Sequence, residues 1–427
     1  MRRRALTAGL SLAVASIGIP PGVGATMPGG KVPSHHTYIV VLKGDAPRPT
    51  RVAHGLDGVR LGHVYHSALN GFSAELTPQA VDALRAHPAV SYVERDITGH
   101  ADGRRLPTGV RRIKAAANSK LKVGDGTDQR VDVDVAILDT GIARNHPDLN
   151  VVHRVNCSGV PRCVDNAGTD ANGHGSNVAG IVGELDNKIG YTGVAPGARL
   201  WAIRTLNDAG EGSSSELIAG LDWVTAHAKT IEVANMSAGY DDTSHAIKDA
   251  INRAISKGIV VVVSAGNDKR DVKHQTPANV PDAVTVSALS DADGKSGGKG
   301  TYDWCNKKNK NTDDTLWIDH IRGGGSNFGR GIDIAAPGDC IQATGKNSGY
   351  SNYSGTSQAA PHVAGAAAWL AAAHNPRNRA DVLAIRNRLV KAGNRAWTDT
   401  SKDGVKEPLL DLHSPKIFTG AGLKRRG

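Results

Sequence analysis

The hydrophobic positions of the chain change their spacing near residue 130, which divides it into a small first part and a large second part. In the first part, HHTYIVVLKGD is a strand-like run. The stretch that begins LNGFSAELT reads as a strand, a helix over 78–86 and a second strand over 89–94. This order predicts a compact α+β unit.

From VDVDVAILDTG onwards, apolar runs of strand length alternate with helical patterns. Strands are predicted over 131–138, 199–204, 231–236, 258–264 and 283–288. Helices are predicted over 174–183, 214–228, 243–256, 357–374 and 380–391. This alternation predicts an α/β fold with a mostly parallel, doubly wound sheet and helices on both faces. The polar stretch 291–325 interrupts the pattern and reads as an insertion.

The N-terminus has the pattern of a secretory signal peptide over residues 1–25. Three arginines precede an apolar run from Ala5 to Ile19, and small residues end at Ala25, the expected cleavage point. A membrane anchor is the alternative, but the run is shorter than the roughly 20 residues that span a bilayer. We therefore expect a secreted, extracellular protein that is monomeric and has no membrane partner.

Cysteine content and charge fit this expectation. Four cysteines in an exported chain indicate disulfides, and the favoured pairs of the three connectivities are Cys157–Cys163 and Cys305–Cys340. A reactive catalytic cysteine is the rival interpretation. The formal charge of +10 comes from scattered basic residues without interleaved aromatics, so we expect no nucleic-acid partner.

Three residues that could carry chemistry stand in Gly-rich turns next to regular elements. Asp139 follows the apolar run VAIL, His174 begins a predicted helix, and Ser357 begins another. Taken singly, each has a structural explanation: a turn aspartate, a structural histidine and an N-cap serine. Together they supply a nucleophile, a base that removes its proton, and a carboxylate that orients the base.

A fourth residue extends this constellation. Asn267 follows the buried run IVVVVSAG, and its amide could donate to a developing oxyanion together with the Ser357 backbone N–H. An ordinary turn asparagine is the alternative, which the presence of the other three residues makes less attractive.

The motifs ILDTGI, GHGSNVAG, NMSAG, SAGND, APG and GTSQAAPHVAG occur in the order found in subtilisin-type serine peptidases, and the chain resembles that family over residues 103–400. The resemblance implies a serine endopeptidase with the triad Asp139, His174 and Ser357 and the oxyanion donor Asn267. It also implies an acyl-enzyme intermediate and no cofactor for catalysis. Protein or peptide substrates would bind as an extended strand between two edge strands. One edge strand contains Gly210, Glu211 and Gly212, and the other contains Ser237, Ala238 and Gly239.

Residues 36–96 resemble the inhibitory I9-type propeptide of the same family, through ALNGFSAELT and HPAVSYVERD. The resemblance implies a self-processing zymogen, with the chain's own propeptide over 26–102 as intramolecular inhibitor and a peptidase domain over 103–427. The cut is expected after Asp102, within the range 99–105.

A structural calcium site is also implied by the resemblance. Its side-chain ligands would be Asp148 and Asn187, and an N-terminal glutamine of the family is here replaced by Arg104. The backbone carbonyl ligands would come from Leu185, Ile189 and Tyr191.

The chain departs from the family pattern close to the expected site. Asn177 stands where the family has a second histidine, Ser176 replaces a threonine, and Gln358 replaces the methionine that follows the nucleophile. None of these residues is needed for proton transfer. Since a thioether beside the nucleophile can be oxidised, Gln358 predicts resistance to peroxide.

Three other functions were weighed against this one. A catalytically inactive binding module would be expected to lack one of the four site residues, and all four are present. Esterases of the α/β-hydrolase type carry a G-x-S-x-G elbow and the order Ser, Asp, His, and metallopeptidases an H-E-x-x-H helix. The sequence has no G-x-S-x-G elbow directly after a predicted strand, its order is Asp, His, Ser, and it has no H-E-x-x-H motif.

Overall fold

The structure of the chain is a computed structural model that describes residues 36–44, 46–96, 105–302, 304–305 and 310–424. The described residues fall into two compact units, one within residues 1–100 and the other within 101–427. The predicted signal peptide and the predicted cut after Asp102 lie outside the described residues.

The first unit is a four-stranded antiparallel sheet with two helices. Its strands are β1 (His36–Leu42), β2 (Val59–Tyr65), β3 (Gly71–Leu76) and β4 (Val90–Arg95), in the order β2-β3-β1-β4. The helices are α1 (Pro49–Ala53) and α2 (Pro78–Ala86), and the Thr77 hydroxyl caps α2. The sequence did not predict β2, because none of its residues is fully buried and its hydrophobic pattern is weak.

The second unit contains the longer alternation of strands and helices. Its strands are β5 (Arg130–Val131), β6 (Asp134–Asp139), β7 (Val151–Asn156), β8 (Val164–Asp165), β9 (Arg199–Arg204), β10 (Val233–Met236), β11 (Val260–Ser264), β12 (Val284–Ser290), β13 (Thr315–Leu316), β14 (Ile334–Pro337), β15 (Ile341–Thr344), β16 (Tyr350–Tyr353) and β17 (Leu423–Lys424). Its helices are α3 (Thr108–Arg112), α4 (His174–Gly183), α5 (Ser214–Ala226), α6 (His245–Ser256), α7 (Thr356–His374) and α8 (Arg379–Ala392).

A large sheet forms the centre of this unit, with strand order β13-β12-β11-β10-β6-β9-β7-β8 and β14 beside β12. All pairs are parallel except β12–β13 and β7–β8 at the two ends. Every residue of β6, β10, β11 and β12 is buried, as expected for a parallel sheet covered on both faces. The predicted fold class is confirmed.

One predicted strand is wrong in detail. The stretch 131–138 forms two strands, because the Val133 N–H turns back to the Val131 carbonyl oxygen at 3.0 Å and the Asp132 N–H donates to the Gly422 carbonyl oxygen at 2.8 Å. β5 thus pairs with β17, close to the end of the described chain, while β6 enters the central sheet. A contact between positions so far apart in sequence leaves no local pattern.

Two disulfides join the cysteines as favoured from the sequence, Cys157 with Cys163 and Cys305 with Cys340. The second ties the 291–325 insertion to the segment that follows β14. In the described part of the chain, no helix combines the length and apolar character needed to cross a membrane.

Candidate active site

Asp139 and His174 are hydrogen bonded to each other. Asp139 is the last residue of β6 and is fully buried, and His174 is the first residue of α4. The His174 Nδ1 lies 2.8 Å from Asp139 Oδ1 and 3.0 Å from Oδ2. Burial opposes the charged imidazolium, but the Asp139 carboxylate outweighs it and raises the pKa of His174 above its usual value. A histidine held this way is oriented and ready to accept a proton on Nε2.

Asp170 holds the turn that presents His174, and the sequence reasoning missed it. Its Oδ1 accepts the Thr140 hydroxyl at 2.9 Å and the Gly173 N–H at 2.8 Å, and its Oδ2 accepts the Ser176 N–H at 2.9 Å. The only local signal is an aspartate ahead of the N-G-H turn, which is common in loops.

A glycine next to His174 is required by close packing. A Cβ on Gly175 would lie 2.1 Å from the carbonyl oxygen of Gly141 and 3.1 Å from the Asp139 side chain. The start of α4 therefore rests directly on the loop that follows Asp139, which fixes the distance between the two functional side chains.

Ser357 lies in the first turn of α7, at the end of the helix where the dipole favours negative charge. Its hydroxyl donates to the carbonyl oxygen of Ser237 at 3.2 Å, and the Ser237 hydroxyl donates to the Ser357 carbonyl at 2.9 Å. In this rotamer, no hydrogen bond joins the Ser357 Oγ to His174 among the described contacts, although both residues line the same cleft.

Asn267 is oriented by Thr356, a second residue that the sequence reasoning missed. The Asn267 Oδ1 accepts the Thr356 N–H at 3.0 Å and its hydroxyl at 2.8 Å. Because the oxygen is engaged this way, the amide Nδ2 is the part of the side chain left to donate into the cleft that Asn267 and Ser357 line.

The two segments predicted to bind substrate line this cleft, a cavity of about 620 Å³. The cleft contains Gly210, Glu211, Gly212, Ser237, Ala238 and Gly239 together with His174, Asn267 and Ser357. Within the described chain neither segment is paired into a β-ladder, so the two segments are not the edge strands that were expected. An extended segment becomes a strand only when a partner pairs with it.

Two of the departures from the family pattern contact each other. The Gln358 side-chain amide donates to the Asn177 Oδ1 at 3.4 Å, and the Asn177 amide reaches the Ser351 hydroxyl at 3.2 Å. All three residues are buried or half-buried. The polar residue after the nucleophile is therefore matched by a polar residue on α4.

The predicted calcium ligands Asp148 and Asn187 are adjacent. The Asp148 Oδ1 accepts the Asn187 amide at 2.6 Å, and its Oδ2 accepts the Tyr350 hydroxyl at 3.0 Å. The loop with the three carbonyl ligands, 185–191, folds over this carboxylate, and a Cβ on Gly190 would lie 2.3 Å from its Oδ2. Arg104, the departure noted above, lies outside the described residues.

Glu184 brings a second carboxyl group to the same place, which the sequence reasoning did not anticipate. It is buried, hydrogen bonds to Asp148, and accepts the backbone N–H groups of Tyr191 at 2.6 Å and Thr344 at 3.1 Å. Burial, with the Asp148 carboxylate beside it, raises the pKa of Glu184 well above its usual range. Among the described residues, no lysine or arginine forms an ion pair with either carboxyl group, and the His146 Nδ1 accepts the Asp148 backbone N–H at 3.2 Å. Two buried carboxyls without a cationic partner suit a divalent cation with oxygen ligands.

The sequence matches two protein families. Residues 131–407 match the subtilase family, and residues 37–102 match the peptidase inhibitor I9 family. The first match covers the central sheet, the three triad candidates and Asn267, and the second covers most of the described part of the first unit.

Individual relatives agree with these matches. The chain is 35% identical over 353 residues to the alkaline protease of Alkalihalobacillus alcalophilus, covering 82% of this chain and 77% of the relative. It is 36% identical over 325 residues to subtilisin E of Bacillus subtilis strain 168, covering 75% and 74%. The solved structure of sphericase superposes with a TM-score of 0.58 at 27% identity, covering 72% of this chain and 98% of that one.

Proposed function

Since the chain belongs to the subtilase family of serine peptidases and carries an I9 inhibitor domain, we propose that it is a secreted endopeptidase made as a self-processing zymogen. Ser357 is the nucleophile, His174 the general base and acid, and Asp139 the group that orients His174. The hydrogen bond between His174 and Asp139 carries this proposal, because it presents the imidazole Nε2 in the cleft that also contains Ser357.

In the first half of the reaction, His174 removes the Ser357 hydroxyl proton as Oγ attacks the substrate carbonyl. The Ser357 side chain first exchanges its hydrogen bond to the Ser237 carbonyl for one to His174. The imidazolium then gives the proton to the leaving amine, and the acyl group stays on Oγ. In the second half, a water attacks the ester and passes its proton through the same imidazole.

The negative charge on the former carbonyl oxygen is stabilised by two donors, the Asn267 amide and the Ser357 backbone N–H. Thr356 supports this role, since its N–H and hydroxyl hold the Asn267 oxygen and leave the amide to face the cleft. Substrate backbone pairs with 210–212 and 237–239, where it supplies the ladder partner that these segments lack.

The zymogen reading rests on the I9 match over 37–102 and on the signal pattern at the N-terminus. Residues 26–102 assist folding and occupy the cleft until a cut near Asp102 releases the peptidase domain. The signal peptide over 1–25 directs the chain out of the cell, where its disulfides persist.

A structural calcium ion is the proposed occupant of the Asp148 site. Asp148 and Asn187 would hold it with the carbonyls of Leu185, Ile189 and Tyr191, and the negative charge of the buried carboxyl pair favours a cation there. The ion would stabilise the loop 185–191 and take no part in peptide hydrolysis.

The proposal is tested by active-site labelling of the secreted protein with a fluorophosphonate, followed by peptide mapping. We expect one equivalent of label, on Ser357, and a matching loss of peptide hydrolysis. When kcat is calculated from the concentration of labelled active sites, Asn267→Ala should lower it by about 100- to 1000-fold, a magnitude known from a subtilisin. Label on another residue, or none, would refute the proposed nucleophile.

A further inference from the structure

The 291–325 insertion contributes a loop, 317–326, that lies against the oxyanion residue. The Gly325 N–H donates to the Asn267 carbonyl oxygen at 2.8 Å, and the Ser326 N–H donates to the Trp317 carbonyl at 2.9 Å. A Cβ on Gly324 would lie 2.3 Å from the same Asn267 oxygen, so this close approach requires glycine. The position of the loop is therefore fixed relative to the catalytic centre.

Arg322 stands in the turn of this loop. The turn is held by Asp319, whose Oδ1 accepts the N–H groups of Ile321 and Arg322 at 2.9 Å each and whose own N–H donates to the Gly324 carbonyl at 3.1 Å. The Arg322 side chain is exposed, and among the described residues no carboxylate lies within ion-pair distance of it. A guanidinium on an ordered turn with no ion-pair partner among those residues is available to a ligand.

The loop also encloses a second cavity, of about 400 Å³, next to the catalytic cleft. Arg322, Tyr353 and Ser354 line both spaces, so the two are adjacent. The Tyr353 ring packs edge-on against His174 with 6.2 Å between ring centroids. Arg322 therefore lies at the end of the cleft that is on the side of His174 and Tyr353.

This end receives the leaving-group side of a substrate, an inference that depends on the proposed function. His174 must protonate the departing amine, so the residues that follow the cleaved bond run beside its imidazole. The acyl side lies instead along 210–212 and 237–239, and neither segment lines the second cavity.

The permanent charges of the cleft lie on opposite sides of the catalytic centre. Among the described residues that line it, Glu211 has the only carboxylate and Arg322 the only guanidinium, and His174 acts as the neutral base. Glu211 belongs to an acyl-side segment, and Arg322 to the leaving-group end. Both side chains are exposed, and neither has an ion-pair partner within the described residues.

We infer that the leaving-group end of the cleft selects acidic substrate side chains, and that Arg322 is the residue that recognises them. An aspartate or glutamate at the first or second position after the cleaved bond pairs with the guanidinium, whose planar N–H groups match a carboxylate. A lysine or arginine at those positions is repelled. An exposed pair of this kind is worth about two- to fivefold in kcat/KM.

Two carboxylates also line the second cavity, Asp319 and Asp339, and each is engaged by donors of the protein. Asp319 holds the turn, as described above. Asp339 is buried and accepts the hydroxyls of Ser290 and Ser354 and the Asn311 amide, at 3.0, 2.9 and 2.7 Å. The two carboxylates are thus engaged by donors of the protein, whereas Arg322 has no ion-pair partner among the described residues.

The test uses three internally quenched peptides that differ only in carrying Glu, Gln or Lys at both of the first two positions after the cleaved bond. Mass spectrometry confirms that the same bond is cut. For the wild-type enzyme, we expect kcat/KM to fall in the order Glu, Gln, Lys by about two- to fivefold at each step, and the differences to shrink in 1 M salt. Arg322→Gln should remove the preference for Glu over Gln, and Arg322→Glu should invert the order.

The matched control is Arg330→Glu, which makes the same change in net charge at an exposed arginine of the following segment that lines neither cavity. It should keep the wild-type order. If the wild-type enzyme is labelled at Ser357 and cuts all three peptides equally, or if Arg330→Glu shifts the order as much as Arg322→Glu, the inference is wrong. A failure of labelling at Ser357 would instead overturn the proposed function and this inference with it.

Discussion

His362 is expected to make the peptidase domain unstable in mild acid. It lies on α7, five residues after Ser357, and is fully buried. Its Nδ1 lies 2.8 Å from the Gln358 carbonyl oxygen and must carry the proton that it donates there. In the neutral imidazole, Nε2 therefore has no proton. The Nε2 atom has no partner in the described structure, and a Cβ on Gly109 would lie 2.2 Å from it. A proton on Nε2 would have no acceptor.

The size of the effect follows from the pKa. Burial, partly offset by the hydrogen bond to the Gln358 carbonyl, lowers the pKa of His362 from 6.5 to about 4. The unfolded chain therefore binds this proton more tightly than the folded one, so stability is lost as the pH falls from 6.5 towards 4. At about 1.4 kcal/mol per pKa unit, the loss is about 2 kcal/mol at pH 5 and approaches 3.4 kcal/mol below pH 4.

The assay is urea unfolding of the full-length chain at pH 7 and pH 5, followed by tryptophan fluorescence. The Ser357→Ala background prevents self-digestion, and coincident unfolding and refolding curves establish reversibility. His362→Asn keeps a donor for the Gln358 carbonyl but cannot be protonated. We expect it to lower stability at pH 7, through lost packing, and to lose about 2 kcal/mol less than its parent between pH 7 and pH 5.

His413→Asn is the control, since His413 is exposed and should leave the pH dependence unchanged. If His362→Asn and its parent lose the same free energy of unfolding between pH 7 and pH 5, His362 is not the acid-sensitive group, and the reasoning from its bare Nε2 is refuted.

Three further outcomes are expected. Glu184→Gln should reduce the rise in thermal midpoint that calcium causes, because it removes a carboxyl group that hydrogen bonds to Asp148; equal rises would contradict a role near the ion. Gln358→Met should speed inactivation by peroxide, and equal rates would show that the residue after the nucleophile does not set peroxide resistance. Asp170→Asn should shift the acid limb of kcat/KM to lower pH. The Asp170 charge helps to raise the pKa of His174, so without it His174 stays neutral, and able to accept a proton, at lower pH. An unchanged acid limb would contradict this.

Much of the fold could be predicted because the buried strands carry strong local patterns. β11 reads VVVVS and is wholly buried, and α4 begins and ends where its glycine-bounded pattern predicts. The division of 131–138 into β5 and β6 could not be predicted, since it depends on pairing with β17, close to the end of the described chain.

Some residues of the candidate site could likewise be predicted from the sequence, and others could not. Asp139 ends a strand, and His174 and Ser357 lie at the starts of helices, positions that the sequence pattern marks. Asp170 and Thr356 orient them through hydrogen bonds that depend on how loops approach in space. The contact between Asn177 and Gln358 spans 181 positions, so the sequence shows two unrelated departures where the structure has one pair.

The central claim, that Ser357 is the nucleophile of a chain that matures itself, is tested most directly by the intact mass and N-terminal sequence of the secreted protein beside its Ser357→Ala variant. We predict that the wild-type chain begins within residues 99–105, near Gly103, and that the variant keeps its prosegment from about residue 26. Identical trimming of both chains would show that another peptidase makes the cut and would contradict self-processing by Ser357.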